Sequence, residues 1–308
     1  MNSSPPAFEV DLTWPKTWPL YTVYPLTTAA FVSLYFLGPK FWPLLVPKYS
    51  KMSVLNQQCW RQNTNSLIHA TIVTIATFVA VVTDPYMRES RPLHPHMNWA
   101  GYIAICVSLA HFIWTIPWSY RLYFFKGERH ATNLALCIHH AIVFVACLTY
   151  LIFRTCALYG AVAYAAMEFT NMFFVPHILQ QQYRSKWYTF WNVNYVVLVV
   201  NFVALRLVIC TWMAVVFSQD LAAFRSDSIL EWAVVILQYI IFLAVTLLSW
   251  VWLWNGIQEL GILPKIQKAM RKLFTRSSAG TSTHTKVKEV SKAGSRNAVK
   301  TASPADAI

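Results

Sequence analysis

Residues 132–153 read Thr-Asn-Leu-Ala-Leu-Cys-Ile-His-His-Ala-Ile-Val-Phe-Val-Ala-Cys-Leu-Thr-Tyr-Leu-Ile-Phe, 22 residues without a formal charge. As a helix rising about 1.5 Å per residue the stretch is about 33 Å long, enough to cross a hydrocarbon core about 30 Å thick. Six further apolar runs flank it, and together they predict seven spans: Tyr21–Leu37, Ser66–Thr83, Trp99–Trp118, Thr132–Phe153, Cys156–Val175, Val193–Phe217 and Trp232–Trp254. In lipid only a helix or a closed barrel satisfies its own backbone N–H and C=O groups, and runs of this length predict helices. The expected fold is therefore all-α and polytopic.

Composition agrees. The 308 residues are 56% hydrophobic and only 12% charged, whereas soluble domains average about 45–50% and about 25%. Too little polar surface remains to face water. The net charge of +13 is distributed for orientation rather than for nucleic acid. Nineteen of the 25 Lys and Arg fall on one side of the expected spans, among them Lys40, Lys48, Lys51, Arg61, Arg121, Lys126, Arg129, Arg184, Lys186 and the C-terminal ones. Five fall on the other (Lys16, Arg88, Arg91, Arg154, Arg225), and Arg206 lies within the sixth span. The richer side is expected to be cytosolic, which puts the C-terminus there and the N-terminus outside. Six scattered Cys without a CxxC argue for neither a disulfide framework nor zinc. No cleavable signal is read in Met1–Leu20.

Polar residues inside a span cost about 2.5–3.5 kcal/mol on insertion scales and so face a bundle interior. Five spans carry them: Ser66 and His69; His111; His139 and His140; Glu168 and Asn171; Asn194, Asn201 and Arg206. Depth joins them. At about 1.5 Å per residue, His69 lies about 12 Å in from Arg61 and His111 about 15 Å from Arg121. By the same rise His139 is about 9 Å from Asn133, and Glu168 about 12 Å from Pro176. All land in the cytosolic half. Tyr164, Glu168 and Asn171 share a helix face, with Gly160 below them leaving room for close packing. A lone intramembrane His is most simply an interhelical hydrogen bond, but titratable groups from four helices at one depth point to a lined cavity. Arg206 is deeper and needs an acceptor; Glu168, the only acid in any span, is its natural candidate.

Such a layer offers general acid–base work or acyl capture by His. Metal is not expected: di-iron membrane hydroxylases use about eight His in HxxxH and HxxHH boxes, against four in these spans. No nucleophile-elbow motif supports a Ser hydrolase. A seven-span receptor is disfavoured by the missing Asp-Arg-Tyr and Asn-Pro-x-x-Tyr motifs and the absence of a Lys in the last span.

Three stretches resemble the TLC-domain family, the polytopic proteins that include ceramide synthases. They are Trp60-Arg-Gln-Asn-Thr-Asn-Ser66-Leu-Ile-His69-Ala70, the pair His139-His140, and Tyr159-Gly160 followed by Met167-Glu168-Phe169-Thr170-Asn171. Arg206 and the Trp-rich end of the seventh span also fit. The resemblance implies a barrel-like bundle of six core helices around a lipid-accepting cavity, plus one N-terminal helix. With the residue pattern and the charge count, the chain is expected to divide into a non-cytosolic N-terminal segment (1–20), an N-terminal transmembrane helix (21–44), a six-helix TLC domain (45–260), a basic amphipathic helix (261–276) and a disordered cytosolic tail (277–308). In the ceramide-synthase branch the pair matching His139 and His140 is catalytic and acyl-CoA is the donor. This chain has one acid, Glu168, where that branch has several, and resembles more closely the non-synthase members, which are linked to lipid homeostasis in the endoplasmic reticulum.

Two functions follow as expectations. One is a lipid-binding homeostasis protein whose cavity is lined by Ser66, His69, His111, Tyr164, Asn171, Asn194, Asn201 and Arg206, with no cofactor. The other is an acyltransferase using His139, His140 and Glu168, with acyl-CoA as co-substrate. The thin acidic complement tips the reading to the first. Expected partners are membrane lipids and, through the basic tail, the anionic cytosolic leaflet; no nucleic acid is expected, and homo-oligomerisation is left open.

Overall fold

The computed structural model describes residues 18–46, 48–83, 93, 99–126, 134–183 and 188–259. The amphipathic helix and tail expected over 261–308, and the N-terminal segment before residue 18, lie outside the described residues. By backbone proximity the chain divides into residues 1–254 and 255–308; of the second unit only the end of a helix, as far as Glu259, is described.

Among the described residues seven long helices follow in order, with a short 3-10 turn, Tyr49–Lys51, between the first two. α1 spans Trp18–Leu45, with a hitch at Thr22. α2 is Val54–Thr83, and α3 is Trp99–Tyr120 continued by a π-helical turn over Arg121–Phe125. α4 is Leu134–Phe153 and α5 is Ala157–Tyr183. α6 joins Tyr188–Asn201, a π-helical stretch Phe202–Ile209 and Cys210–Ala223; α7 is Ile229–Glu259. Among the described residues there is no strand.

Six of these helices are long and apolar enough to cross a membrane by length and composition. α5 is as long, at 27 residues, but Glu168, Asn171 and its Gln-rich end dilute its apolar content. It is nonetheless central: α2 packs most closely against α5 and α3. Lipid tails are as apolar as Leu, so helices there associate by close fit rather than by escape from water. Small residues supply the fit, with Ala80 of α2, Ala100 of α3 and Ala157 and Ala161 of α5 forming one buried cluster.

The remaining helices close a ring in the order α4, α3, α2, α5, α6, α7. α4 packs on α3, α6 on α5, and α1 lies outside the ring against α3 and α2. α7 keeps its backbone farther from its neighbours than they keep from one another. Long side chains bridge the gap: Gln238 Nε2 donates to Thr149 Oγ1 of α4, and Trp252 meets His139 edge to face. Toward α6, Trp250 Nε1 donates to Thr211 Oγ1, and Phe242 packs on Phe217. The start of α7 is capped, Ser228 Oγ accepting from the Glu231 N–H while Ser226 Oγ accepts from the Ser228 N–H and donates to Glu231 Oε2.

Several boundaries differ from the sequence expectation, each for a local reason. α2 starts at Val54 rather than Ser66, because its polar first half is covered by α1: Asn65 Nδ2 donates to Phe31 O (2.9 Å) and Arg61 Nη1 to Tyr35 O (3.0 Å). The second bond has a specific origin. Pro39 has no N–H for the carbonyl four residues back, which is that of Tyr35, and Arg61 fills the vacancy. α1 thereby runs through Pro39 and Pro43 to Leu45 instead of ending at Leu37. α5 likewise continues through Pro176 to Tyr183 instead of stopping at Val175. Between α4 and α5 the chain turns through two left-handed residues, Arg154 (φ 55°) and Cys156 (φ 57°). Gly160 then passes under Tyr150, whose ring carbon Cζ would lie 2.5 Å from a Cβ at that position.

Candidate functional site

A ladder of polar side chains, joined at its basic end by aromatic rings, runs through the bundle. On α2, His69 stacks on His111 of α3, ring centroids 4.3 Å apart and 12° from parallel. Both rings are buried, at 2% and 4% exposure. His69 Nε2 meets Ser108 Oγ at 3.1 Å, and its Nδ1 faces Glu168 Oε2 of α5 at 3.5 Å. The same carboxylate oxygen accepts from Asn171 Nδ2 (3.0 Å). Asn171 Oδ1 in turn accepts from Arg206 Nη2 of α6 (2.7 Å), which also donates to the Met167 carbonyl (2.6 Å). The expected Arg206–Glu168 partnership thus runs through Asn171.

Proton positions on the His111 branch follow from counting donors. Thr115 Oγ1 gives its one hydrogen to the His111 carbonyl (2.8 Å) and accepts from Gln62 Nε2 (2.8 Å). Its remaining lone pair faces His111 Nε2 at 3.2 Å, so that nitrogen carries the ring proton.

Toward the basic end lie the paired histidines of α4. Their rings are 5.8 Å apart. His140 Nδ1 is 3.5 Å from Ser119 Oγ, and its ring stands 5.5 Å from Phe112. His139 packs on Trp252 of α7, ring centroids 5.0 Å apart. Arg206 presents its guanidinium to the Phe202 ring at 5.4 Å and to the Trp252 ring at 5.7 Å. The residue sits within the π-helical stretch of α6, whose wider turn rotates the positions after it relative to an α-helix.

Not every candidate joins the ladder. Ser66 bonds the Gln62 carbonyl and Asn201 the Val197 carbonyl, each on its own helix. Asn194 Nδ2 donates to the Phe173 carbonyl, tying α6 to α5. Tyr164 pairs with Cys147 Sγ of α4 and lines a void of about 20 Å³ beside Thr77, Tyr150 and Gly160, room for about one water. Conversely, Gln62, Ser108, Thr115, Ser119 and Trp252 belong to the ladder without being foreseen. Ser108, His111 and Thr115 are spaced i, i+3, i+7, a one-face signal that could have found them; Trp252 reads in sequence as an interfacial aromatic. Among the described residues no group of three or more His, Cys, Asp or Glu is placed to hold a metal ion.

No curated protein matches the chain. A family model described as the TLC domain matches residues 59–258, well over half of the chain and every member of the ladder from Gln62 to Trp252. The protein is a multi-pass membrane protein of the TLC-domain family.

Proposed function

We propose that this protein binds a membrane lipid within its six-helix ring and serves membrane lipid homeostasis, acting in the endoplasmic reticulum with the basic end of the bundle toward the cytosol. One observation carries the reading: side chains from α2, α3, α4, α5 and α6 converge in one buried ladder. Polar groups so placed are expensive in a membrane and mark functional pathways. The basic residues at one end, Lys40, Lys48, Lys51 and Arg121 among them, suit that end to an anionic leaflet. Native mass spectrometry of the gently solubilised full chain tests it: a lipid in a fixed ratio to protein is expected, and lipid-free protein refutes it.

A second reading, acyl transfer from acyl-CoA, is favoured by the adjacent rings of His139 and His140 at the basic end. An imidazole nitrogen would attack the thioester carbonyl, the C–S bond would break, and CoA would leave as the thiol with the nucleophile's proton. A lipid amine or hydroxyl would then take the acyl group and release its own proton to the freed imidazole. Glu168 lies on His69 rather than on this pair, so orientation of the nucleophile would fall to Ser119 and Trp252. Purified protein given acyl-CoA and an amine or alcohol acceptor decides the matter: product that disappears in His139→Ala/His140→Ala supports transfer, and no product from the wild type refutes it.

A further inference from the structure

Three polar atoms of the ladder are buried without a hydrogen-bond partner, Oε1 of Gln62, Nδ1 of His139 and Nε of Arg206, and the last two share a neighbour. His139 and Arg206 are 7% and 4% exposed. Both side chains lie against the same indole, Trp252, the His139 ring 5.0 Å and the Arg206 guanidinium 5.7 Å from it. They come from three helices, α4, α6 and α7, and the third is the one whose backbone stands off from its neighbours.

The chemistry of Arg206 is specific about what is missing. Its Nη2 hydrogens are committed to the Met167 carbonyl and to Asn171 Oδ1. A guanidinium does not give up its proton in a protein, so the charge is permanent. Among the described residues the acid linked to it, Glu168, is occupied by Asn171 and His69 and reaches Arg206 through the amide. The rings of Phe202 and Trp252 face the guanidinium. An aromatic face stabilises a cation but does not accept the in-plane Nε–H. A buried donor on a charged group left unmade costs about 1–3 kcal/mol or more. What fits is an acceptor carrying negative charge, since bonds between ionised partners are roughly twice as strong as neutral ones.

We propose that Arg206 Nε and His139 Nδ1 together hold an anionic oxygen of a lipid, a carboxylate or a phosphate, against Trp252. The assignment rests on the lipid-binding reading above and names the class of lipid. Trp252 forms the wall of the site, and the neutral His139 turns its proton to Nδ1 to donate.

The test uses the full chain in nanodiscs doped equally with oleate, dioleoyl phosphatidic acid and dioleoylglycerol, followed by native mass spectrometry. Wild type is expected to retain an anionic probe over dioleoylglycerol by about tenfold or more, the worth of one charge-assisted bond. Retention of oleate alone assigns a carboxylate; retention of phosphatidic acid alone assigns a phosphate. Arg206→Gln and His139→Phe should each lower that retention by about tenfold, while Ser249→Ala, which loses only a bond to its own helix carbonyl, should not. His139→Phe keeps a ring on Trp252 and leaves the Arg206–Asn171–Glu168 links intact, so it carries the test if Arg206→Gln does not fold. Equal retention of dioleoylglycerol, or wild-type retention in a folded His139→Phe protein, overturns the anion site alone. A wild type that holds no lipid of any class overturns the lipid-binding reading and this site with it.

Discussion

Replacing Asn171 by Leu should unlock the ladder at its narrowest link. The amide holds Arg206 at 2.7 Å and Glu168 at 3.0 Å and so links the cation to the acid. Hydrogen bonds to charged groups contribute about 1.5–3 kcal/mol each. The two share one residue, so their losses do not add fully. The unfolded chain in a membrane also finds other partners, which trims the loss further. About 2–4 kcal/mol is therefore expected from Asn171→Leu. At about 2–4 °C per kcal/mol for a protein somewhat smaller than this one, the melting midpoint should fall by about 4–16 °C. The structure supplies the assay. All six cysteines are buried, so a fluorogenic thiol dye added to detergent-solubilised protein reports unfolding directly. The stronger measurement is a double-mutant cycle with Glu168→Gln. If Asn171 carries the coupling, the two changes should deviate from additivity by about 1 kcal/mol or more, whereas unconnected sites add within about 0.5 kcal/mol. Additive losses, or an Asn171→Leu protein that melts with the wild type, would refute the relay.

Three further outcomes follow from other parts of the bundle. Arg61→Met should cost about 1.5 kcal/mol by orphaning the Tyr35 carbonyl, and clearly less in a Pro39→Ala background whose restored N–H serves that carbonyl; a thermal-melt cycle on the four proteins checks it. Gly160→Ala drives a methyl to 2.5 Å from Tyr150 Cζ and should cost about 1–3 kcal/mol by overpacking. Combined with Tyr150→Leu it should cost less than the two separate losses together. Thr115→Val strands buried Gln62 Nε2 and His111 Nε2 and should cost about 2–3 kcal/mol, whereas Ser66→Ala, losing one bond to its own helix, should stay within about 0.5 kcal/mol in the same unfolding assay.

The helices were legible because hydropathy decides them, and the interior face of each was legible wherever a polar residue broke an apolar run. His69, His111, Glu168 and Arg206 were found that way. What composition hides is backbone departure from regularity. The π-helical stretch over 202–209 has no residue signature, yet its rotation helps decide what Arg206 faces. The polar half of α2 was invisible as helix because a span was read from its apolar residues, while Arg61 and Asn65 are helical precursors of the span that bind carbonyls of α1. Asn201 and Ser66 stand apart from the ladder for the opposite reason: a short polar side chain can satisfy itself on its own previous turn, and sequence position does not distinguish that from a partner across the bundle.

Stability alone does not account for the ladder. Replacing buried ionic groups by well-packed apolar ones is often neutral or stabilising, and a bundle already fitted with Ala, Val and Phe around Ala80 and Val73 needs no charge to associate. The economical polar residues of this chain, such as Thr77 and Thr246, bond their own helices and ask nothing of their neighbours. His69, Glu168, Asn171 and Arg206 instead depend on one another across three helices, and the chain of bonds ends at Arg206 Nε, beside the same indole as His139 Nδ1. A network maintained for packing would close on itself. One that leaves a guanidinium nitrogen and an imidazole nitrogen without partners is what the proposed anionic lipid would complete.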